Sequence, residues 1–472
     1  MNLRLLYQGQ RLDLLVRFRK SFDALFNKKV IKYTILIFLC CYIPPRFETR
    51  SLREQSLDLR SKFRSLFVEP EQLVSIALPE AILLSQESEL SRASQEIIEV
   101  ISDDIKFAGI AKVVDRSLYP NIQKNSSKTD FSLWRKPPLS LNFLIQLYLS
   151  STSQHLKVSM QVVNIHSEKI VLNKSYQGHK EKIRALSHLI ANDLIKAIAN
   201  INGIAHSKIA FISPPLGARD IFQMDYDGKN VQRLTYEHAI ILFPTLSPVT
   251  KKLAYITLTQ KGPLLQIRST ANGLLLGSLS FPRGSISSPS FSPDENFITF
   301  ASSKDSHSMQ LYTINLQTNQ INQITDKSSA IHTSPRWNPQ NGREIAFISD
   351  ESGTPQIHII DVDQKKQRRL LQNGGSADSP AWSPNGQYIA FCWKPERSPR
   401  FDIFVMDITS GEIVQLTSNA GNNERPSWSP DGRYLAFQSD RTGRFEIYTM
   451  RIDGTNQRQL TTQGAISPIW FE

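Results

Sequence analysis

The second half of the chain repeats itself, and a fixed period of this length restricts the possible folds more than any other feature of the sequence. Phe243-Pro244-Thr245-Leu246-Ser247-Pro248, Ser288-Pro289-Ser290-Phe291-Ser292-Pro293, Ser334-Pro335-Arg336-Trp337-Asn338-Pro339, Ser379-Pro380-Ala381-Trp382-Ser383-Pro384 and Arg425-Pro426-Ser427-Trp428-Ser429-Pro430 are five copies, and Ser467-Pro468-Ile469-Trp470 begins a sixth. Their first prolines step by 45, 46, 45, 46 and 42 residues. Each copy reads as a short strand with one large apolar residue, followed by a tight turn. Asn385-Gly386 and Asp431-Gly432 suit such turns because they accept positive backbone angles. A second strand is marked by Ala210-Phe211, Ala254-Tyr255, Thr299-Phe300, Ala346-Phe347, Ala390-Phe391 and Ala436-Phe437. A third strand alternates, as in Ile403-Phe404-Val405-Met406, and a fourth ends at pairs such as Leu234-Thr235 and Leu416-Thr417. Four strands in about 45 residues make one blade of a β-propeller.

The register of the copies predicts how the ring closes. The first second-strand copy, at Ala210, has no first strand ahead of it, and the last first-strand copy, at Trp470, has no second strand after it. Joining the Phe211 segment to the Trp470 segment completes a sixth blade and leaves no open sheet edge.

Before the ring the period changes. Ile97, Ile98, Ile101 and Ile105 recur at helical spacing, as do Ile183, Leu186, Ile190, Leu194 and Ile198. Between them Leu141 to Leu149 alternate, Ser151-Thr152-Ser153 turns, and Val158, Met160 and Val162 alternate back. The expected fold is mainly β: a six-bladed propeller over 203–472, preceded at 70–202 by a small α/β domain of two helices on a mostly antiparallel sheet. Residues 44–69 read as a flexible basic linker.

Charge placement excludes a nucleic-acid role for the folded body. Residues 1–66 hold 14 Lys or Arg against 5 Asp or Glu, so +9 of the chain's +12 sits there and the rest is near neutral. Lys28, Lys29 and Lys32 precede an uncharged run from Tyr33 to Ile43. That run suits the apolar region of an export signal and is shorter than the ~20 residues of a membrane-spanning helix. Residues 1–43 are therefore expected to direct export, with an inner-membrane tether as the alternative. Two of the three cysteines, Cys40 and Cys41, fall in this segment; Cys392 reads as a small core hydrophobe.

The sequence offers little for catalysis. Gly374-Gly375-Ser376-Ala377-Asp378 lacks the last glycine of a nucleophile elbow, and no hydrolase domain is expected after the ring. The nine histidines show no His-x-x-His or His-x-x-x-His pair and do not recur with the blades, so each reads as a surface or capping residue. The expectation is a binding protein with no enzyme activity, no cofactor and no metal.

Over residues 70–472 the chain resembles the TolB family, the soluble periplasmic component of the Tol-Pal envelope system of Gram-negative bacteria. The likeness is carried by Val114-Asp115-Arg116-Ser117-Leu118, Asp130-Phe131-Ser132-Leu133-Trp134-Arg135, His188-Leu189-Ile190-Ala191-Asn192-Asp193, Ser207-Lys208-Ile209-Ala210-Phe211 and Met224-Asp225-Tyr226-Asp227-Gly228. Val249-Thr250 and Asp294-Glu295 depart from the usual Asp-Gly turn. The resemblance implies that a Pal-like lipoprotein docks at the propeller mouth, where the loops before the innermost strands converge. The matching positions are Arg283, Ser285, Ile286, His332, Thr333, Ser334, Asp378, Ser379, Glu424 and Arg425. It also implies a TolA-like inner-membrane partner, reached through the mature N-terminus by strand addition of residues 44–69, and a role in outer-membrane integrity and invagination at division. A secreted propeller that binds polysaccharide or accompanies an envelope enzyme is the alternative.

Overall fold

Trp470 lies opposite Ile209, and Ile469 opposite Ala210, in an antiparallel pair between Ile466–Phe471 and Lys208–Ser213. The C-terminal strand thus becomes the inner strand of blade 1 and closes a ring of six four-stranded antiparallel sheets, as expected, two residues short of facing Phe211. This computed structural model describes residues 51–67, 73–84, 88–120, 130–137, 139–213, 219–237, 239–281, 284–305, 307–326 and 329–472. The export-signal segment 1–43 lies outside the described residues.

Blades 2 to 6 follow in chain order, with inner strands Ile240–Leu246, Ile286–Phe291, His332–Trp337, Ser376–Trp382 and Asn423–Trp428. The recurring Ala-aromatic pairs, and Thr299-Phe300 in their place in blade 3, are buried on the second strands, sandwiched between neighbouring blades. Two of the tryptophans tie blades together. Trp382 Nε1 donates to the Arg336 carbonyl at 3.0 Å and Trp428 Nε1 to the Ala381 carbonyl at 2.9 Å, each on the preceding blade. The Leu-Thr pairs have a similar logic: Thr417 Oγ1 donates to Asp402 and accepts the Ile403 amide, and Thr461 does the same with Glu446 and Ile447. Where glycine is missing from the first turn of a blade, Lys251 and Glu295 take the left-handed conformation. The Glu295 carboxylate then accepts the Val249 and Thr250 amides of blade 2, each at 2.7 Å.

The α/β domain contains β1 (Val74–Ala77), β2 (Ile82–Leu83), α2 (Ser88–Ala108), β3 (Ala111–Val113), β4 (Phe143–Ser151), β5 (His155–Asn164), β6 (Lys169–His179) and α3 (Ile183–Ala199). Helix α2 buries its isoleucine stripe as expected, and α3 buries Leu186, Ile190 and Leu194 of its own, with Ile183 and Ile198 half-buried at its ends. The sheet is antiparallel through its three long strands and carries short parallel pairings at its other side. β1 runs parallel to β3 and β4, and β2 parallel to β4, while β4, β5 and β6 form an antiparallel meander. The parallel half arises because α2 crosses over between β1 and β3.

Residues 51–64 overturn the expectation of a flexible linker. They form helix α1 (Ser51–Arg64), whose Leu59 and Phe63 are buried, with Phe67 just beyond. Phe63 meets Tyr388 of blade 5 edge-on at 5.2 Å, Phe67 meets Tyr434 of blade 6 at 5.7 Å, and Arg60 donates to the Gln415 carbonyl. Apolar spacing of four residues outweighs the basic composition here. Phe63→Ala is expected to weaken this docking by roughly 3 kcal/mol. Trypsin should then cut at Lys62 and Arg64 far faster while the ring's melting curve stays in place; unchanged cleavage would contradict the packing.

Leu59, Phe63, the stripes of α2 and α3 and the large residues of blades 1, 5 and 6 belong to one continuous apolar core. The α/β domain and α1 sit at the trailing ends of the inner strands, against the turns around Tyr226, Tyr388, Tyr434 and Arg451. The leading ends open on the opposite face. No helix among the described residues is long and apolar enough to cross a membrane.

Candidate functional site

Each inner strand breaks its ladder at the same place. The residue before the first proline has a positive φ in all six blades: Phe243, Ser288, Ser334, Ser379, Arg425 and Ser467, between 51 and 57°. The pairing register shifts across each of these positions. Proline has no N–H for the ladder and crowds the residue ahead of it. The strand answers with a bulge, which re-aims the side chain before the proline. The repeat noticed in the sequence is therefore a ring of six bulges around the central channel.

Several expected mouth residues meet there. Ser334 Oγ donates to Asp378 Oδ1 at 3.2 Å, linking blades 4 and 5, and the same oxygen accepts the Ser379 amide. Glu424 Oε2 accepts Gln438 Nε2 at 3.0 Å. Burial, reinforced by Asp378 and opposed by Arg425, pushes the Glu424 carboxyl above its usual range. The Arg425 guanidinium reaches past blade 1 to lie over the Phe243 ring of blade 2, 5.7 Å from its centroid. Thr333 is half-buried on the leading end of blade 4, and Ser285 is half-buried at the start of blade 3, its amide donating to Ser303 Oγ at 2.9 Å.

Other expected positions do not form part of this surface. Ile286 is buried in the core between blades 2 and 3, and His332 is fully buried with its ring 5.3 Å from Phe347. Alternation along the strand turns both inward, one residue away from half-buried neighbours. Arg283 lies outside the described residues. Phe243, Arg219 and Arg336 belong to the channel and were missed. Aligning the six copies column by column would have found Phe243 and Arg336, because Phe243 and Arg425 are the two departures from serine in their column and Arg336 is the one charged residue in its own.

A second polar cluster sits at the junction of the two domains and corrects the reading of His188 as a surface or capping residue. Its Nδ1 is 2.8 Å from Asp104 Oδ2 of α2, and its Nε2 is 3.7 Å from Asp225 Oδ2 of blade 1. Tyr226 OH donates to Asp104 Oδ1 at 2.6 Å. Arg184 binds Asp225 at 3.2 Å and Asp227 at 2.9 Å, and Lys208 binds Asp225 at 3.1 Å. Burial disfavours the imidazolium, but the bonds to Asp104 and Asp225 outweigh it and raise His188 to about 9. His358 is buried as well. Among the described residues, no group of three or more His, Cys, Asp or Glu side chains is arranged to hold a metal ion.

The chain matches the family model of the TolB beta propeller domain over residues 195–398 and 371–470, and that of the TolB amino-terminal domain over residues 71–171. A protein TolB homolog of Chlorobium chlorochromatii is 32% identical over 298 residues, 63% of this chain and 56% of that protein, so the match spans little more than half of that relative. A second TolB homolog, of Chlorobium luteolum, is 28% identical over 80% of this chain and 85% of its own length. A Tol-Pal system protein TolB of Hahella chejuensis is 27% identical over 46% of this chain and 51% of its own. In fold, the crystal structure of TolB from Acinetobacter baumannii superposes with a TM-score of 0.70 at 22% identity, covering 85% of this chain and 97% of that one. With its propeller closed by the last strand and the amino-terminal domain matched in front of it, the chain belongs to the TolB family.

Proposed function

We propose that this protein is a non-catalytic periplasmic adaptor of a Tol-Pal-type envelope system, docking a Pal-like lipoprotein on the leading face of the ring. The observation that carries the reading is the ring of six bulges, which gathers Thr333, Ser334, Asp378, Ser379, Glu424 and Arg425 from three consecutive blades on the face away from the α/β domain. Six loops from distant parts of the chain make a rigid polar rim, a form suited to holding a protein surface. In the cell the adaptor would support outer-membrane integrity and invagination during division. A TolA-like inner-membrane protein is the second partner we propose, reached through the residues ahead of α1. Strand addition by residues 51–64 is not part of this proposal, because that stretch is helical.

A pull-down with the exported protein against envelope lipoproteins tests the reading, and failure to recover any Pal-like protein would reject it. Thr333 gives the cleaner mutational probe. Ser334 sits in the left-handed region and holds Asp378, so a bulky replacement there would strain the ring as well as block the rim. Thr333→Trp is expected to weaken partner binding at least about tenfold, a loss of about 1.4 kcal/mol, with the melting temperature nearly unchanged. Lowered melting with unchanged affinity would make Thr333 structural only.

A further inference from the structure

Several arginines of the ring have carboxylate partners: Arg233 with Asp220, Arg268 with Glu237, Arg433 with Asp431 and Arg444 with Glu446. Others, such as Arg441 and Arg369, spend their donors on neutral side chains or backbone carbonyls. Among the described residues Arg219, Arg336 and Arg425 form no ion pair with a carboxylate. Arg336 Nη1 reaches only backbone carbonyls, of Pro335 at 3.0 Å and Pro289 at 3.4 Å. Arg219 Nε is buried without a hydrogen bond, although the backbone of this residue is fastened to Ala239 at the start of blade 2. Arg425 rests its guanidinium on Phe243. The two nearby carboxylates are engaged with neutral donors, Asp378 with Ser334 and the Ser379 amide, Glu424 with Gln438.

The three cations also act on one another. Burial lowers the basicity of Arg219 and Arg336, and the charge of Arg425 lowers both further; Arg336 falls to about 10, with Asp378 opposing. Half-buried like charges that close no ion pair with the carboxylates near them oppose folding of the ring that holds them. An anion entering among them would reverse that penalty in a site of low effective dielectric. The Arg425 geometry suits such a guest. The contact with the Phe243 ring consumes none of the Arg425 N–H donors, which stay available for a two-pronged contact with an oxyanion.

We propose that the propeller channel is a receptor for an oxyanion, a carboxylate or phosphate group, held by Arg425 on its Phe243 platform with Arg219 and Arg336 supplying further positive field. The oxyanion is either a free small anion or a carboxylate carried on the docked protein partner. The second source rests on the docking reading above; the first does not.

Calorimetric titration of the full-length protein with inorganic phosphate and with glutarate, at low ionic strength with chloride as the control, tests the site. Wild type is expected to bind at least one of the two. Arg425→Gln should weaken that binding at least about tenfold, and Arg425→Lys, which keeps the charge but not the paired donors, should fall between. Circular dichroism identifies a variant that fails to fold, in which case the lysine variant decides. Absence of any response in wild type, or equal responses in wild type and the folded variants, overturns the proposal. If saturating phosphate weakens capture of a Pal-like lipoprotein as much as the substitution does, the carboxylate belongs to the partner; if capture ignores both, the anion is free. Failed capture with intact phosphate binding rejects the docking reading alone, and the converse rejects the channel site alone.

Discussion

Removing residues 466–472 is expected to abolish the cooperative unfolding transition and drive the protein into aggregates. Those residues are the inner strand of blade 1, so their loss strips Lys208–Ser213 of its partner and opens the one seam of the ring. An exposed strand edge pairs with whatever edge it meets. A graded version of the experiment uses Trp470, which is 5% exposed and whose Nε1 donates to Ser207 Oγ at 2.8 Å. Trp470→Ala should cost about 3–5 kcal/mol by leaving a cavity, a large fraction of a domain stability of about 5–15 kcal/mol. Trp470→Phe keeps a ring packed near Tyr434 while losing the bond to Ser207 and part of the indole volume, so about 1–2 kcal/mol is expected. Urea midpoints read by circular dichroism check the series. Equal midpoints for wild type and Trp470→Ala would mean that the seam is held elsewhere.

The propeller was legible because its instructions are local and repeated. A proline every 45 or so residues marks the inner strand, and the mismatch between Ala210 and Trp470 says which ends must meet. The bulges were implicit in the same prolines, but their consequence was not: whether the residue before each proline faces channel or core depends on the pairing register, which put Ser334 on the rim and His332 in the interior. Helix α1 was missed for a different reason. The charge of residues 44–69 suggested a linker, while Leu59, Phe63 and Phe67, four residues apart, recorded an apolar face whose partners Tyr388 and Tyr434 lie on the far side of the chain. The domain junction was the least legible part. Asp104 and His188 are 84 residues apart, on two helices whose isoleucine stripes explain the packing without any need for a charge pair.

That junction carries the second large effect. Asp225 receives Arg184, Lys208 and His188 together, and although burial alone would raise it, those partners hold its carboxyl well below the usual range. Asp225→Ala leaves an imidazolium, a guanidinium and an ammonium facing one another without their shared counter-ion, and about 3–5 kcal/mol of destabilisation is expected. His188 supplies a pH signature of its own. Its folded value of about 9 lies above the ordinary 6.5, so the stabilisation it lends is complete below pH 6.5 and fades as pH rises through about 9. The gap corresponds to roughly 3 kcal/mol. Asp225 acts at the acid end with the opposite sign: its contribution is present above the ordinary carboxylate range and fades as pH falls below it. Stability followed by urea denaturation from pH 5 to 10 should therefore decline on the alkaline side. In His188→Gln, which offers the two aspartates no positive charge, that alkaline decline should largely disappear while overall stability drops. An alkaline slope identical in wild type and His188→Gln would show that the imidazolium does not join the two domains, and the junction would then rest on Arg184, the hydrogen bonds of Tyr226 to Asp104 and of Tyr434 to the Phe107 carbonyl, and the shared apolar core.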